Sequence, residues 1–260
     1  ENPDFAHLCA ESGITFIGPP PEIMRRLGNK VEARRLAIEA DVPVMPATNP
    51  LPHEGTEITR LASEVGYPLM LKASWGGGGR GMRVIEDESD LLEQVAAARR
   101  EALAAFGNDE VYLEKLVRNA RHVEVQIMGD SHGQVVHLFE RDCTVQRRHQ
   151  KIVERAPAPY LSEAQRDEIT SAAVRLAQSV QYCNAGTVEF LQDVETGEFY
   201  FIEVNPRIQV EHTVTEQITG LDLVKSQIRI AAGGRIGDIE SSGIPAQQDI
   251  RMRGAAIQCR

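Results

Sequence analysis

Phe199-Tyr200-Phe201-Ile202-Glu203-Val204-Asn205-Pro206-Arg207-Ile208-Gln209-Val210-Glu211-His212 begins as an apolar, aromatic run and then places a polar group at every second position. Side chains of an extended segment alternate between two faces. Glu203, Asn205, Arg207, Gln209 and Glu211 can therefore look toward one place while Val204, Ile208 and Val210 look away. An ordinary amphipathic strand shows the same alternation, but Asn is depleted in strand interiors and Pro206 cannot donate to a ladder. The regular strand is expected to stop near Asn205 and continue as a specific loop, the kind of place where sites are built.

The strand needs a partner, and Gly186 to Asp193 supplies one across a Glu195-Thr196-Gly197 turn. In that hairpin Glu189 and Glu203 lie on adjacent strands with matching parity. Like charges facing each other across strands are destabilising unless a cation lies between them. Two carboxylates with Asn205 make a hard-oxygen set of the kind Mg²⁺ prefers when it also holds phosphates, although two solvent-facing glutamates would read the same way.

Upstream, Trp75-Gly76-Gly77-Gly78-Gly79-Arg80-Gly81 contains GxGxxG, but a strand (Met82 to Ile85) follows where a dinucleotide site needs a helix, and GK[ST] is missing. What remains is a turn between two strands whose bare amides can close over phosphate oxygens, with Lys72 on the strand before it. A plain hairpin tip is the competing reading. Around it stands a small α/β module: a helix (Glu57 to Val65), a strand (Pro68 to Lys72), the glycine loop and its following strand, a helix (Ser89 to Phe106) and a strand (Glu110 to Leu116). Pro43, Pro46, Pro50 and Pro52 mark the boundary before it. Ahead of that boundary come helices over Pro3 to Glu11, Glu22 to Leu27 and Lys30 to Ala40, a short strand over Ile14 to Ile17, and Asn29 as the cap that puts Lys30 in a first helical turn.

A second hairpin is expected from Arg121 to Met128 and Gln134 to Glu140, followed by the most basic segment, Arg141 to Lys151, read as a charged loop or an anion-binding arm. A helix runs from Glu163 to Val180, the tail is helical from Thr213 to Ala232, and Gly254 to Arg260 is strand-like.

Composition narrows the classes. The chain has 260 residues, 42% of them hydrophobic, enough for a sizeable core in one or two domains. Its 28 Lys and Arg against 38 Asp and Glu give a formal charge of -10, which argues against nucleic acid as a partner. Cys9, Cys143, Cys183 and Cys259 are scattered without a CxxC pair, so neither a disulfide framework nor a zinc knuckle is indicated and a reducing compartment fits. No apolar run is long enough to span a bilayer and no signal segment is present. Both ends fall inside elements, as in a piece of a longer protein.

Together these stretches resemble the biotin carboxylase domain of biotin-dependent carboxylases. The resemblance runs through Lys72-Ala73-Ser74 and the glycine loop, Glu114-Lys115, Arg121-His122-Val123-Glu124, Glu140 to Lys151, Ala156-Pro157-Ala158-Pro159, Gly186 to Phe190 and Glu203 to Glu216. Within that family Trp75, Asn205-Pro206-Arg207 and His212-Thr213-Val214-Thr215-Glu216 look more like the pyruvate carboxylases than the acyl-CoA carboxylases.

The resemblance implies an α+β, ATP-grasp fold with antiparallel sheets: residues 1–28 ending an N-terminal subdomain, 29–240 the ATP-grasp domain with a lid over about 46–117, and 241–260 starting a C-terminal subdomain. It implies that ATP phosphorylates bicarbonate to carboxyphosphate and that the carboxyl group passes to biotin on a carrier domain. Lys30, Lys72, Gly77, Gly78 and Gly79 would hold phosphates, Glu114 and Lys115 would line the adenine pocket, and His122, Gln146 and His149 would contact the nucleotide. Glu189, Glu203 and Asn205 would bind Mg²⁺ or Mn²⁺; Arg207, Gln209 and Val210 would orient bicarbonate; Glu211 would be its base; Lys151 would sit by the reacting anion; Arg260 would stabilise the biotin enolate. A homo-oligomeric multidomain parent, in the cytoplasm or a mitochondrial matrix, completes the expectation. The biotin carboxylase of an acyl-CoA carboxylase, a carbamoyl-phosphate synthetase type ligase of the same fold and a catalytically silent nucleotide-binding fragment remain alternatives.

Overall fold

The computed structural model describes residues 1–75, 82–148 and 150–260. The glycine-loop residues Gly77, Gly78 and Gly79, with Arg80, lie outside the described residues, as does His149. Two compact units account for the chain.

The first unit comprises Glu1–Gly28, Ala33–Pro43 and Ala120–Arg260. It is built on a six-stranded antiparallel sheet of order β8-β7-β4-β5-β6-β9, where β4 is Ala120–Gly129, β5 Val135–Arg147, β6 Gln150–Ala156, β7 Asn184–Asp193, β8 Phe199–Asn205 and β9 Ala256–Cys259. The helices are α1 (Pro3–Glu11), α2 (Pro21–Gly28), most of α3 (Lys30–Glu39), α6 (Glu163–Ser179), α7 (His212–Thr219), α8 (Leu223–Ala231) and the short α9 (Ile239–Ser242).

The second unit, Asn29–Glu32 with Val44–Asn119, is a three-stranded antiparallel sheet of order β2-β1-β3 covered by two helices. Its elements are α4 (Gly55–Val65), β1 (Leu69–Ala73), β2 (Arg83–Ile85), α5 (Leu91–Phe106) and β3 (Val111–Lys115). Leu91, Val95, Ala98 and Ala102 recur at helical spacing on α5 and bury against Leu69, Leu71, Ile85 and Leu113. That face is apolar; the opposite face of the sheet is left for polar groups.

Three expectations change. Ile14 to Ile17 forms no strand, having no ladder partner among the described residues. Arg141 to Lys151 is no loop: β5 runs through it to Arg147 and β6 starts at Gln150. The tail helix is two helices, because Gly220 takes φ +72° and ends α7 in a left-handed cap.

Register on the large sheet divides its faces. Val123, Val125 and Ile127 of β4 pair with Phe190, Val188 and Gly186 of β7. Glu140 of β5 sits opposite Val125 and meets Arg166 of α6 at 2.9 Å, so α6 covers that face. The other face carries His122, Glu124 and Gln126 of β4, Arg141 of β5, and Thr187 and Glu189 of β7.

Candidate active site

Cross-strand pairing places Arg141, Glu124, Glu189 and Glu203 in a single row across β5, β4, β7 and β8. Three carboxylates side by side would repel, and the row is held by cations. Lys151 of β6 sends its ammonium to Glu124, to Glu189 Oε1 at 2.7 Å and to Glu211 Oε1 at 2.8 Å. Arg141 Nε donates to Glu124 Oε1 at 2.6 Å. Because these groups are almost wholly withdrawn from water, their interactions are far less screened than surface pairs.

Electrostatics follow from the geometry. Burial alone would raise the Glu211 carboxyl, but the Lys151 ammonium and its hydrogen bond outweigh this and hold it below the usual carboxylate range. Glu189 is likewise pushed far down: burial opposes ionisation, and His122 and Lys151 win. Lys151 is driven well above an ordinary lysine, since Glu124 and Glu189 more than offset its burial. His122 is raised: burial lowers it, while the Glu189 charge more than compensates. Its Nε2 lies 3.2 Å from Glu189 Oε2, within ion-pair range but without hydrogen-bond alignment.

The opening stretch divides at Pro206. Glu203 is half-buried and in register with Glu189, and Asn205 Nδ2 donates to Glu189 Oε1 at 2.9 Å. Beyond the strand end, Arg207 is exposed, with its Nη2 3.1 Å from Asn205 Oδ1 and its Nε 2.9 Å from Glu1. Gln209 is buried and reaches Glu189 Oε1 through Nε2 at 3.2 Å. Val210 points outward and is 60% exposed. Glu211 precedes α7 and shares Arg260 Nη2, at 2.7 Å, with Glu154 Oε1 at 2.9 Å. Gln146 Nε2 lies 3.1 Å from His122 Nδ1 and donates to Cys143 O at 2.9 Å, so the hairpin fixes the His122 ring.

The remaining candidates belong to the second unit. Lys72 and Glu114 share the polar face of the small sheet, Lys72 opposite Tyr112 and Glu114 opposite Met70, and form an ion pair with each side chain 12% exposed. Lys115 turns to the other face and donates from Nζ to Gly66 O at 2.9 Å and Tyr67 O at 2.7 Å, tying down the end of α4. Only its backbone is thus left to line a ligand pocket. Lys30 begins α3, where Asn29 Oδ1 accepts from Glu32 N at 2.9 Å, and its own N–H donates to Ser74 O at 3.3 Å.

Sequence reasoning gave no role to Glu124, Arg141 and Glu154, each fully buried. For Glu124 a signal existed, since His122, Glu124 and Gln126 alternate with Val123, Val125 and Ile127. Arg141 was hidden in a run of charges, and Glu154 had no distinguishing pattern. The Glu154 carboxyl is raised by burial, against the pull of Arg260.

Glu189 and Glu203 are cross-strand neighbours and Asn205 ends β8, and their oxygens are the hard donors that Mg²⁺ or Mn²⁺ takes.

The family model of the carbamoyl-phosphate synthase L chain ATP-binding domain matches residues 29–239. Pyruvate carboxylase of Staphylococcus aureus is 53% identical over all of this chain, which spans 22% of that protein, and the mitochondrial pyruvate carboxylase of Rattus norvegicus is 52% identical with the same coverage. Among solved structures, a pyruvate carboxylase of Rhizobium etli superposes with TM-score 0.93 at 64% identity, over 99% of this chain and 22% of that one. The biotin carboxylase domain of Hydrogenobacter thermophilus 2-oxoglutarate carboxylase, solved as a dimer with MgADP, ADP and bicarbonate, gives 0.92 at 47% identity over 100% of this chain and 55% of its own. The chain thus spans about a fifth of the pyruvate carboxylases it matches. It belongs to the carbamoyl-phosphate synthase L chain ATP-binding domain family and has the α+β, ATP-grasp fold of the biotin carboxylase domains.

Proposed function

We propose that this chain is the part of a biotin-dependent carboxylase, of the pyruvate carboxylase kind, that uses ATP and bicarbonate to carboxylate biotin. The observation that carries this reading is Glu211, a buried carboxylate kept ionised by Lys151 at 2.8 Å and Arg260 at 2.7 Å. A carboxylate whose proton affinity is lowered is a poorer base for a neutral alcohol. It suits an acidic anion such as bicarbonate, provided cations beside it lower the anion's own pKa. Glu211 takes the bicarbonate proton, the freed oxygen attacks the γ-phosphorus of ATP as ADP leaves, and carboxyphosphate results. Lys151 and Arg207 offset the charge of the reacting anions, and Arg260, paired with Glu211, would release it and meet the ureido oxygen of biotin.

Biotin on a separate carrier domain supplies the ureido nitrogen that accepts the carboxyl group. Glu189, Glu203 and Asn205 would hold Mg²⁺ or Mn²⁺, which supplies charge neutralisation of the phosphates. In the second unit Lys72 is the phosphate ligand, held on the polar face of the small sheet by its ion pair with Glu114. Arg207 is matched to its role by chemistry, its guanidinium being half-exposed and anchored by Asn205. The parent would be a homo-oligomeric multidomain enzyme of the cytoplasm or mitochondrial matrix; among the described residues no helix is long and apolar enough to cross a membrane.

The test is phosphate release by the full-length parent. Dependence on both bicarbonate and biotin is expected, with Glu211→Gln lowering kcat about 100-fold or more. Turnover that needs ammonia and ignores biotin would assign the chain to the carbamoyl-phosphate synthetase type instead.

A further inference from the structure

Arg141 is the largest fully buried side chain among the described residues, and all five of its N–H donors are engaged. Nε donates to Glu124 Oε1 at 2.6 Å; Nη1 donates to Gln126 Oε1 at 2.6 Å and Thr215 Oγ1 at 3.0 Å; Nη2 donates to Thr187 Oγ1 and Gln209 Oε1, both at 3.1 Å. The guanidinium thus joins β4, β7, the segment after β8 and α7 at one point.

The contact with Gln209 has a chemical consequence. A glutamine amide has nearly the same shape in its two flipped orientations, yet one presents a donor and the other an acceptor. With Oε1 taken by Arg141, the NH₂ of Gln209 is turned toward Glu189 Oε1 at 3.2 Å. Flipping the amide would face two buried donors at Arg141 and two acceptors at Glu189, leaving polar groups unsatisfied at both ends.

We propose that Arg141 is a positioning residue for the anion subsite: it locks the Gln209 amide with its NH₂ on the Glu189 side, where Glu189 takes one N–H and the second is the donor offered to bicarbonate. The proposal rests on the functional reading above for the identity of the anion. Lysine cannot replace arginine here, because its donors radiate from one atom and cannot span Glu124, Thr187 and Gln209 together.

The experiment uses the full-length parent carrying Arg141→Lys. The KM for bicarbonate is expected to rise about tenfold or more, as for other residues that orient a ligand-binding group, while the KM for MgATP stays within about twofold. A purely structural role would move both constants with the melting temperature, and that outcome overturns the proposal, as does an unchanged bicarbonate KM. If Arg141→Lys does not fold, Thr187→Val takes its place with the same selective rise expected, since it removes the other acceptor on Nη2. A crystal structure of the variant separates the two readings. Gln209 should leave its place beside Arg141 whatever the substrate proves to be, and an unmoved Gln209 overturns the positioning role. Absence of bicarbonate-dependent turnover in the unmutated parent overturns the functional reading.

Discussion

Lys151 shows how one residue can set the charge state of a site. Its ammonium is shared by Glu124, Glu189 and Glu211, with only 13% of its side chain exposed. Removing one partner of a buried ionic cluster leaves uncompensated charge, so Lys151→Met should destabilise the fold by about 3–5 kcal/mol at pH 7. The folded Glu211 carboxyl lies below its ordinary 4.5. Its stabilising contribution is therefore present above pH 4.5 and is lost as pH falls through the folded value. The gap between Lys151→Met and the unmutated chain should narrow as pH drops below 4.5. Urea unfolding at pH 7 and pH 4 checks this, and a gap that stays constant with pH contradicts the shared-ammonium account.

At the scale of elements, the large sheet succeeds because two glycines let its strands approach Tyr182. A Cβ on Gly129 of β4 would lie 2.0 Å from Tyr182 O, and one on Gly186 of β7 would lie 2.3 Å from the Tyr182 hydroxyl. Tyr182 is buried and its hydroxyl donates to Ala185 O at 3.0 Å, so neither it nor the backbone can yield. Gly129→Ala should cost more than about 3 kcal/mol, whereas Gly28→Ala, which meets nothing within 4 Å, should stay within about 0.5 kcal/mol. Denaturant midpoints of the two variants test the difference. Elements with clean periodicity were legible: α5, β8 and the β7–β8 hairpin fall where the pattern put them. The 141–151 hairpin was not, because the β5–β6 register shifts twice, between Asp142 and Val145 and again before Gln146, and the shifts break the alternation that marks a strand.

Across the whole molecule, pH stability should be governed partly by a group far from any catalytic role. His137 of β5 is held neutral by burial, its pKa lowered from 6.5 to about 4 despite the opposing charge of Asp167. A base whose folded pKa is depressed contributes stability that is complete above pH 6.5 and is lost as pH falls toward 4. Allowing for its partial exposure, the loss between pH 7 and pH 5 should be about 1 kcal/mol. His137→Gln should flatten this slope in denaturant titrations, and equal slopes would exclude His137 as the cause. The charge total of -10 could not reveal such a group, since burial and not composition sets its proton affinity.

The sequence by itself determined the hairpin of Glu189 and Glu203, the strand end at Asn205 and the glycine-flanked module around Lys72, because side-chain parity and proline chemistry are local. Only the tertiary structure decided which groups complete the site. Glu124, Arg141 and Lys151 come from three strands, and their meeting depends on sheet order β7-β4-β5-β6 and on the register of each pair. A one-residue slip in β4 would turn Glu124 to the α6 face; the alternation of Glu124 with Val123, Val125 and Ile127 hints at the facing, and burial of those three apolar side chains enforces it.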